Sequence, residues 1–240
     1  MTDHKYIVDT PSTNALLWEM MMETSLPEGF VVHTDFQSAG KGQSGNTWES
    51  QAERNLLFSM LLYPTNIAMD ELFLISQLIS VGIKKTLDQY STGITIKWPN
   101  DIYWNDKKLA GILIENSLQG KQLKAVVVGI GLNVNQKEFV SNAPNPVSLY
   151  HINRRLLNRT DLLQKIRSNI LDVYTQLNAQ KIRAEYAYAL YRKDGFHLYK
   201  AGGETFKAKI CEVHPDGQLE LETEAGERRG YYFKEVQFVV

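Results

Sequence analysis

Ile94-Thr95-Ile96-Lys97-Trp98-Pro99-Asn100-Asp101-Ile102-Tyr103-Trp104-Asn105-Asp106-Lys107-Lys108-Leu109-Ala110-Gly111-Ile112-Leu113-Ile114 is the stretch whose reading decides the fold. It holds three β-rich runs, residues 94–98, 102–104 and 109–114, separated only by the turn chemistry of Pro99-Asn100-Asp101 and Asn105-Asp106. Parallel neighbours need a crossover of a dozen or more residues, and turns this short leave no room for one. The three strands must therefore return antiparallel. Residues 123–128, reached through Gln119-Gly120, extend the same meander, and residues 126–134 read as a buried strand.

Outward from this centre the pattern changes period. Residues 70–90 show helical spacing through Leu74, Leu78, Val81 or Gly82, and Lys85 or Leu87. Residues 56–63 form an apolar strand ended by Pro64, and residues 30–33 and 6–8 read as further strands. Ser12 or Thr13 supplies an N-cap for a helix carrying Leu16, Leu17 and Met20 to Met22, which stops before Pro27. On the C-terminal side, Thr160 or Asp161 caps a helix with Leu163, Ile166, Ile170, Val173 and Leu177 on one face, and residues 184–191 continue helical. From Thr205 onward apolar and polar residues alternate, with turns at Asp216-Gly217 and Ala225-Gly226. The reading is an α+β chain: a mostly antiparallel sheet backed by helices over residues 1–192, then a small β-barrel over residues 193–240.

Composition narrows the function classes. The 240 residues carry 26 Lys+Arg against 27 Asp+Glu, so no global field favours nucleic acid or an anionic membrane, and any basic site must be local. Cys211 is the single cysteine, which excludes an intrachain disulfide and a cysteine-rich metal site; it reads as a packed small side chain. His4, His33, His151, His197 and His214 lack ligand spacing. Residues 1–10 lack the pattern of a signal peptide, and no run approaches the ~20 apolar residues of a membrane span, so a cytoplasmic protein is expected.

Gly40, Gly42 and Gly45 spell G-x-G-x-x-G. A dinucleotide loop must open a helix so that pyrophosphate meets its N-terminal dipole, whereas Thr47-Trp48-Glu49-Ser50 leads toward a strand. A kinase would need a V-A-I-K-like strand and a catalytic-loop triplet, and neither is present. The glycines instead belong to an ordered set: Ser12-Thr13-Asn14, Gln37 with Gly40-Lys41-Gly42 and Trp48, Lys97-Trp98-Pro99-Asn100-Asp101, Lys108-Leu109-Ala110-Gly111-Ile112-Leu113, and Gly129-Ile130-Gly131-Leu132-Asn133. In order and spacing this set resembles the biotin–protein ligase family, strongly over about residues 6–135 and more weakly beyond.

The resemblance implies a class II aminoacyl-tRNA synthetase/biotin ligase-like catalytic domain with an SH3-like C-terminal domain. It also implies an ATP-dependent, AMP-forming reaction: biotin is activated to biotinyl-5'-AMP, then passed to one lysine of a biotin carboxyl-carrier protein. The substrates implied are biotin and ATP with Mg2+. Lys108, Asp101 and Lys41 take the catalytic positions, with Asp101 near the metal. Ser12, Thr13, Asn14, Gln37, Gly40, Lys41, Gly42, Lys108 and Gly111 fall on the biotin side. Lys41, Trp48, Lys97, Asn100, Asp101, Lys108, Gly131 and Asn133 fall on the nucleotide side.

The chemistry asks for these residue types independently. A carboxylate attacking the α-phosphorus of ATP brings two anions together, which requires converging cations. A buried urea requires paired amide and hydroxyl partners. Trp48 and Trp98 could flank the adenine or pack the core, packing being favoured for Trp98.

Only eleven residues precede Ser12, too few for a helix-turn-helix module, so a short form without a DNA-binding domain is expected. A homodimer is left open. Family loops commonly read G-R-G-R-x-G, and here Lys41 keeps one charge while Gln43 drops the second. Two rivals share much of the pattern, a lipoate-type ligase and a non-catalytic biotin or nucleotide sensor.

Overall fold

The structure is a computed structural model that describes residues 3–120, 122–141 and 145–239. In chain order its elements are β1 (His4–Thr10), α1 (Thr13–Glu23), β2 (Val31–Gln37), β3 (Leu56–Leu62), α2 (Phe73–Leu87), β4 (Ile94–Lys97), β5 (Asp101–Trp104), β6 (Lys107–Gln119), β7 (Gln122–Leu132), α3 (Leu149–Asn153), α4 (Arg159–Thr175), α5 (Ala179–Ala189), β8 (His197–Ala201), β9 (Glu204–Val213), β10 (Leu219–Thr223), β11 (Arg228–Tyr231) and β12 (Gln237–Phe238).

A seven-stranded sheet runs β1-β2-β3-β7-β6-β5-β4. The meander β4 to β7 is antiparallel throughout, as its short turns require. Among the described strands of this sheet only β1 and β2 pair in parallel, and α1 is the crossover between them. β3 is buried along its whole length because both faces of the sheet are covered there. On one face Phe58, Met60, Val128, Ile130 and Ile112 meet α2, α4 and α5 in the main core. On the other, Leu61, Val127 and Val32 pack under Leu17 of α1.

The C-terminal sheet, in the order β11-β10-β9-β8-β12, is fully antiparallel and has the SH3-like arrangement expected. Tyr199, Ala208, Leu219, Leu221 and Val236 join the same apolar cluster as α2 and α5, so this sheet closes over the main core. Trp98 is 4% exposed, and its indole donates to the carbonyl of Gly217 at 3.0 Å. Of the two roles open to it, it packs.

Helix starts differ from the sequence expectation wherever an asparagine competes. Asn158, not Thr160 or Asp161, caps α4, its Oδ1 accepting from the amides of Thr160 at 2.9 Å and Asp161 at 3.2 Å. Asn158 presents its carbonyl one residue outside the helix, where both first-turn amides point. Asn178 likewise starts α5 at Ala179, ahead of residue 184, and Leu177 lies past the end of α4 while still packing on the core. α2 is shorter than residues 70–90 because Met69–Glu71 tightens into a separate 3-10 turn.

On the α4 side of β2, the ring of His33 stacks near Tyr6 and His4, and its Nδ1 is buried without a partner. Burial holds the His33 pKa below the ordinary value. The folded chain therefore binds that proton less readily than the unfolded chain, and stability falls as pH drops below about 6.5 toward the lowered value. Wild type is expected to lose melting temperature between pH 7 and pH 5.5 and His33→Gln to lose less, read by differential scanning calorimetry; equal losses would refute this.

Candidate active site

Alternation along β7 puts Ile130 and Val128 into the main core, so Gly129 and Gly131 face the opposite way, toward α1. Register then assembles a floor: Ser59 and Leu113 flank Gly129, while Leu57, Gly131, Gly111 and Asp101 form the next row across the sheet. A methyl group at Gly129 would overlap the amide of Asn14, and one at Gly131 or Gly111 would strike the Trp48 indole. Three missing side chains thus open a trough in an otherwise filled sheet face.

One end of the trough is a buried polar corner under the start of α1. The backbone amide and hydroxyl of Thr13 donate to Gln37 Oε1 at 2.8 and 3.0 Å. Ser59 Oγ lies 2.7 Å from Thr13 Oγ1 and 2.5 Å from Asn14 Oδ1. Ser12 caps the helix through its Oγ, and its backbone is held by that cap while it lines the trough. The Asn14 Nδ2 donor is buried with no partner. An orphaned donor beside a ring of hydroxyl and amide groups is complementary to a small polar group that both accepts and donates.

The other end carries the charges. Lys108 Nζ pairs with Asp101 Oδ1 at 2.8 Å. In an unbroken strand, residues 108 and 111 would face opposite sides. The β5–β6 register shifts between Ile102 and Tyr103, pairing Ala110 with Ile102 but Lys108 with Tyr103, so Leu109 is the extra residue and is fully buried. The bulge turns Lys108 onto the face that Gly111 opens. Its backbone is held on the outer side, the Lys108 amide donating to Asn145 and its carbonyl accepting from Val147. Asn100 fixes the turn before Asp101 by donating from its side chain to the carbonyl of Ile112.

The roof is the glycine loop. Lys41 bridges Thr47, the Gly42 amide donates to Asn46 at 2.7 Å, and the Trp48 amide donates to Gly40 at 3.0 Å. The loop thereby lays Trp48 over Gly111 and Gly131, 5.7 Å below Lys108 Nζ, with its indole N–H buried and unpartnered. Glu49 ties the loop to the far wall, its carboxylate accepting from the amides of Val140 and Ser141; these bonds, against the opposing effect of burial, keep its pKa low.

Ser12, Thr13, Asn14, Gln37, Lys41, Gly42, Trp48, Asn100, Asp101, Lys108, Gly111 and Gly131 therefore line one cavity. Three expected residues lie outside its lining. Gly40 backs Trp48, where a methyl group would crowd the Trp48 carbonyl at 2.9 Å. Asn133 donates to the carbonyl of Val147, bracing the segment that holds Lys108. Lys97 is 2.9 Å from the Tyr103 hydroxyl and lies over the rings of Tyr103 and Phe238, and burial lowers its pKa. Sequence reasoning missed Ser59, Gly129 and Phe233 as lining or wall residues. A serine inside the apolar run 56–62 and a glycine two before Gly131 were readable signals for the first two.

The model of the Biotin/lipoate A/B protein ligase family matches residues 6–133, more than half of the chain and all five motif segments. The chain belongs to that family. Among ligases of the family, a bifunctional ligase/repressor BirA of Bacillus spizizenii is 29% identical over 96% of this chain and 73% of its own length. A biotin–[acetyl-CoA-carboxylase] ligase of Paracoccus denitrificans is 35% identical over 52% of each chain. The biotin protein ligase of Aquifex aeolicus, solved in complex with biotin and ATP, has the same fold, with a TM-score of 0.79 over 100% of both chains at 23% identity. The family match ends at Asn133, so the C-terminal sheet lies outside it, while the fold likeness spans the whole chain.

Proposed function

We propose that this chain is a biotin–protein ligase that forms biotinyl-5'-AMP from biotin and ATP and transfers the biotinyl group to a lysine of a biotin carboxyl-carrier protein. The observation that carries this reading is one cavity with a buried donor–acceptor corner at one end and the Lys108–Asp101 pair at the other. The ureido ring of biotin matches the corner of Thr13, Asn14, Gln37 and Ser59, and its valeryl chain then lies along the glycine floor toward Lys108.

In the first step a biotin carboxylate oxygen attacks the α-phosphorus of ATP; the new O–P bond forms as the bond to pyrophosphate breaks. Lys108 and Lys41 offset the charge of the approaching anions, and Trp48 offers a ring face and an N–H to the nucleotide. Asp101 is the one carboxylate on the cavity lining among the described residues. Magnesium is commonly held by one or two carboxylates together with substrate phosphates, so Asp101 fits that ion as it arrives with ATP, where it supplies charge neutralisation of the phosphates. In the second step the carrier amine attacks the acyl carbon, the carbon–oxygen bond to phosphate breaks with its electron pair leaving on AMP, and Asp101 takes up the amine proton and gives it to solvent once the products have left.

The reading places the catalytic part at residues 1–192 and a separate SH3-like domain at residues 193–240, in a cytoplasmic enzyme whose assembly is monomer or homodimer. Among the described residues no helix is long and apolar enough to cross a membrane. Incubation with biotin, ATP, Mg2+ and an unmodified carrier domain is expected to add one biotinyl group to the carrier, read by intact mass spectrometry. Lipoyl addition in a parallel reaction with lipoate would move the assignment to the other branch of the family, and pyrophosphate-free binding of biotin and ATP would make the chain a sensor.

Gln43 lines the cavity with its Oε1 buried and unpartnered, where an arginine would place a charge beside the phosphate. Gln43→Arg is expected to slow release of biotinyl-AMP several-fold in a stopped-flow chase; equal release rates would count against it.

A further inference from the structure

Phe233 is an aromatic side chain, 41% exposed, that the C-terminal sheet contributes to the reaction cavity. It sits in the turn between β11 and β12, a segment outside every motif and outside the family match. The turn is braced: the Tyr232 amide donates to the Glu235 carboxylate at 2.6 Å, and the Glu235 amide donates back to the Tyr232 carbonyl at 3.0 Å. The Tyr232 hydroxyl donates to Asp216 Oδ2 at 2.7 Å, and Asp216 Oδ1 accepts from the Gln218 amide. Between those two residues, Gly217 accepts the Trp98 indole hydrogen and is held at φ +92 against Phe73, where a side chain would collide. A short chain of fixed contacts therefore runs from Trp98, three residues before Asp101, through the Asp216–Gln218 turn to Tyr232 and Phe233. It ties the turn that carries Phe233 to the segment of Trp98 and Asp101, at the charged end of the cavity whose lining Phe233 and Asp101 share.

The chemistry at that end has a competing reaction. A mixed carboxylic–phosphoric anhydride is attacked at the same carbon by water, which yields free biotin and AMP, or by the carrier amine, which yields the amide and AMP. Asp101, which can take a proton from the amine, can equally take one from water. A ring that neither donates nor accepts hydrogen bonds deprives an attacking water of an anchor, and it offers the four methylenes of a lysine an apolar surface.

We propose that Phe233 is the residue that partitions the activated acyl group, packing against the stem of the incoming carrier lysine and excluding water from the Asp101 end. The proposal rests on the biotin–protein ligase reading. It makes the C-terminal sheet a contributor to the transfer step and leaves adenylation to residues of the first sheet.

The test starts from purified full-length wild type, Phe233→Asn and Phe233→Leu, each loaded with synthetic biotinyl-AMP and mixed with carrier domain. The ratio of biotinylated carrier to free biotin is measured by mass spectrometry and chromatography. Phe233→Asn is expected to lower that ratio at least tenfold and to raise the carrier KM, while Phe233→Leu, which keeps an apolar surface, recovers most of it. Biotin-dependent ATP–pyrophosphate exchange is measured in parallel, and its loss in Phe233→Asn is expected to be several-fold smaller than the loss in that ratio. An unchanged ratio in Phe233→Asn would overturn the proposal, and so would a raised ATP KM with unchanged transfer, since that would seat the ring on the nucleotide. Absence of exchange in wild type would instead sink the ligase reading itself.

Discussion

Lys108→Met is expected to lower biotin-dependent ATP–pyrophosphate exchange by about 10²–10³-fold while leaving the fold intact. The magnitude follows from removing one preorganised charge aimed at a developing negative centre. The loss has two parts here. The methionine cannot offset the phosphate charge, and Asp101, deprived of its partner at 2.8 Å, faces the incoming anions unneutralised. Stability is expected to change little, because the Lys108 side chain is about a third exposed and ion pairs with that much solvent are worth roughly 0–1 kcal/mol. The bulge that aims the residue depends on buried Leu109 and on the backbone bonds to Asn145 and Val147, none of which the substitution touches. Exchange rates and a thermal melt read together separate the two effects. Retention of exchange within threefold would remove Lys108 from the chemistry.

Gly129→Ala is expected to weaken biotin binding about 100-fold, or about 2.8 kcal/mol, with a smaller effect on ATP binding, measured by isothermal titration calorimetry. The added methyl group occupies the place of the Asn14 amide, so Asn14 must turn away. Turning breaks its contact with Ser59 and removes its unpartnered Nδ2 from the corner, two polar defects of about 1–3 kcal/mol each in a buried site. Backbone geometry is not the obstacle, since Gly129 lies in regular β7 without a positive φ. The double variant Asn14→Ala/Gly129→Ala therefore should bind no worse than Gly129→Ala alone, because the clash and the displaced amide are the same event. Additive losses would show that Gly129 acts through something other than Asn14.

The antiparallel meander was legible because turns such as Asn105-Asp106 are too short for anything else, and the polar corner was legible because Ser12-Thr13-Asn14 and Gln37 are residue types that an apolar core would not hold unpartnered. Ser59 and Gly129 were less visible. Each stands out only faintly in its own strand, and only the pairing of β3 with β7 makes them neighbours. Lys97 and Asn133 show the converse: a motif names them together with the lining residues, yet Lys97 is taken up by the Tyr103 hydroxyl and the Phe238 ring and Asn133 by the carbonyl of Val147. Asn158 illustrates the local limit, since three residues with capping side chains within four positions, Asn158, Thr160 and Asp161, compete and backbone geometry selects one.

Residue type and short-range spacing determined what this chain contains: a sheet built from tight hairpins, a glycine-rich loop, a urea-complementary segment and a set of cations suited to anionic substrates. They do so because turns, caps and side-chain chemistry act within a few residues. Tertiary structure alone decided which of these meet. A single extra residue at Leu109 rotates Lys108 onto the face of Gly111, and a turn more than 130 positions after Asp101 brings Phe233 to the same cavity. Strand register and the docking of one sheet on another are sums of many weak contacts between distant segments, and no local stretch of sequence records that sum.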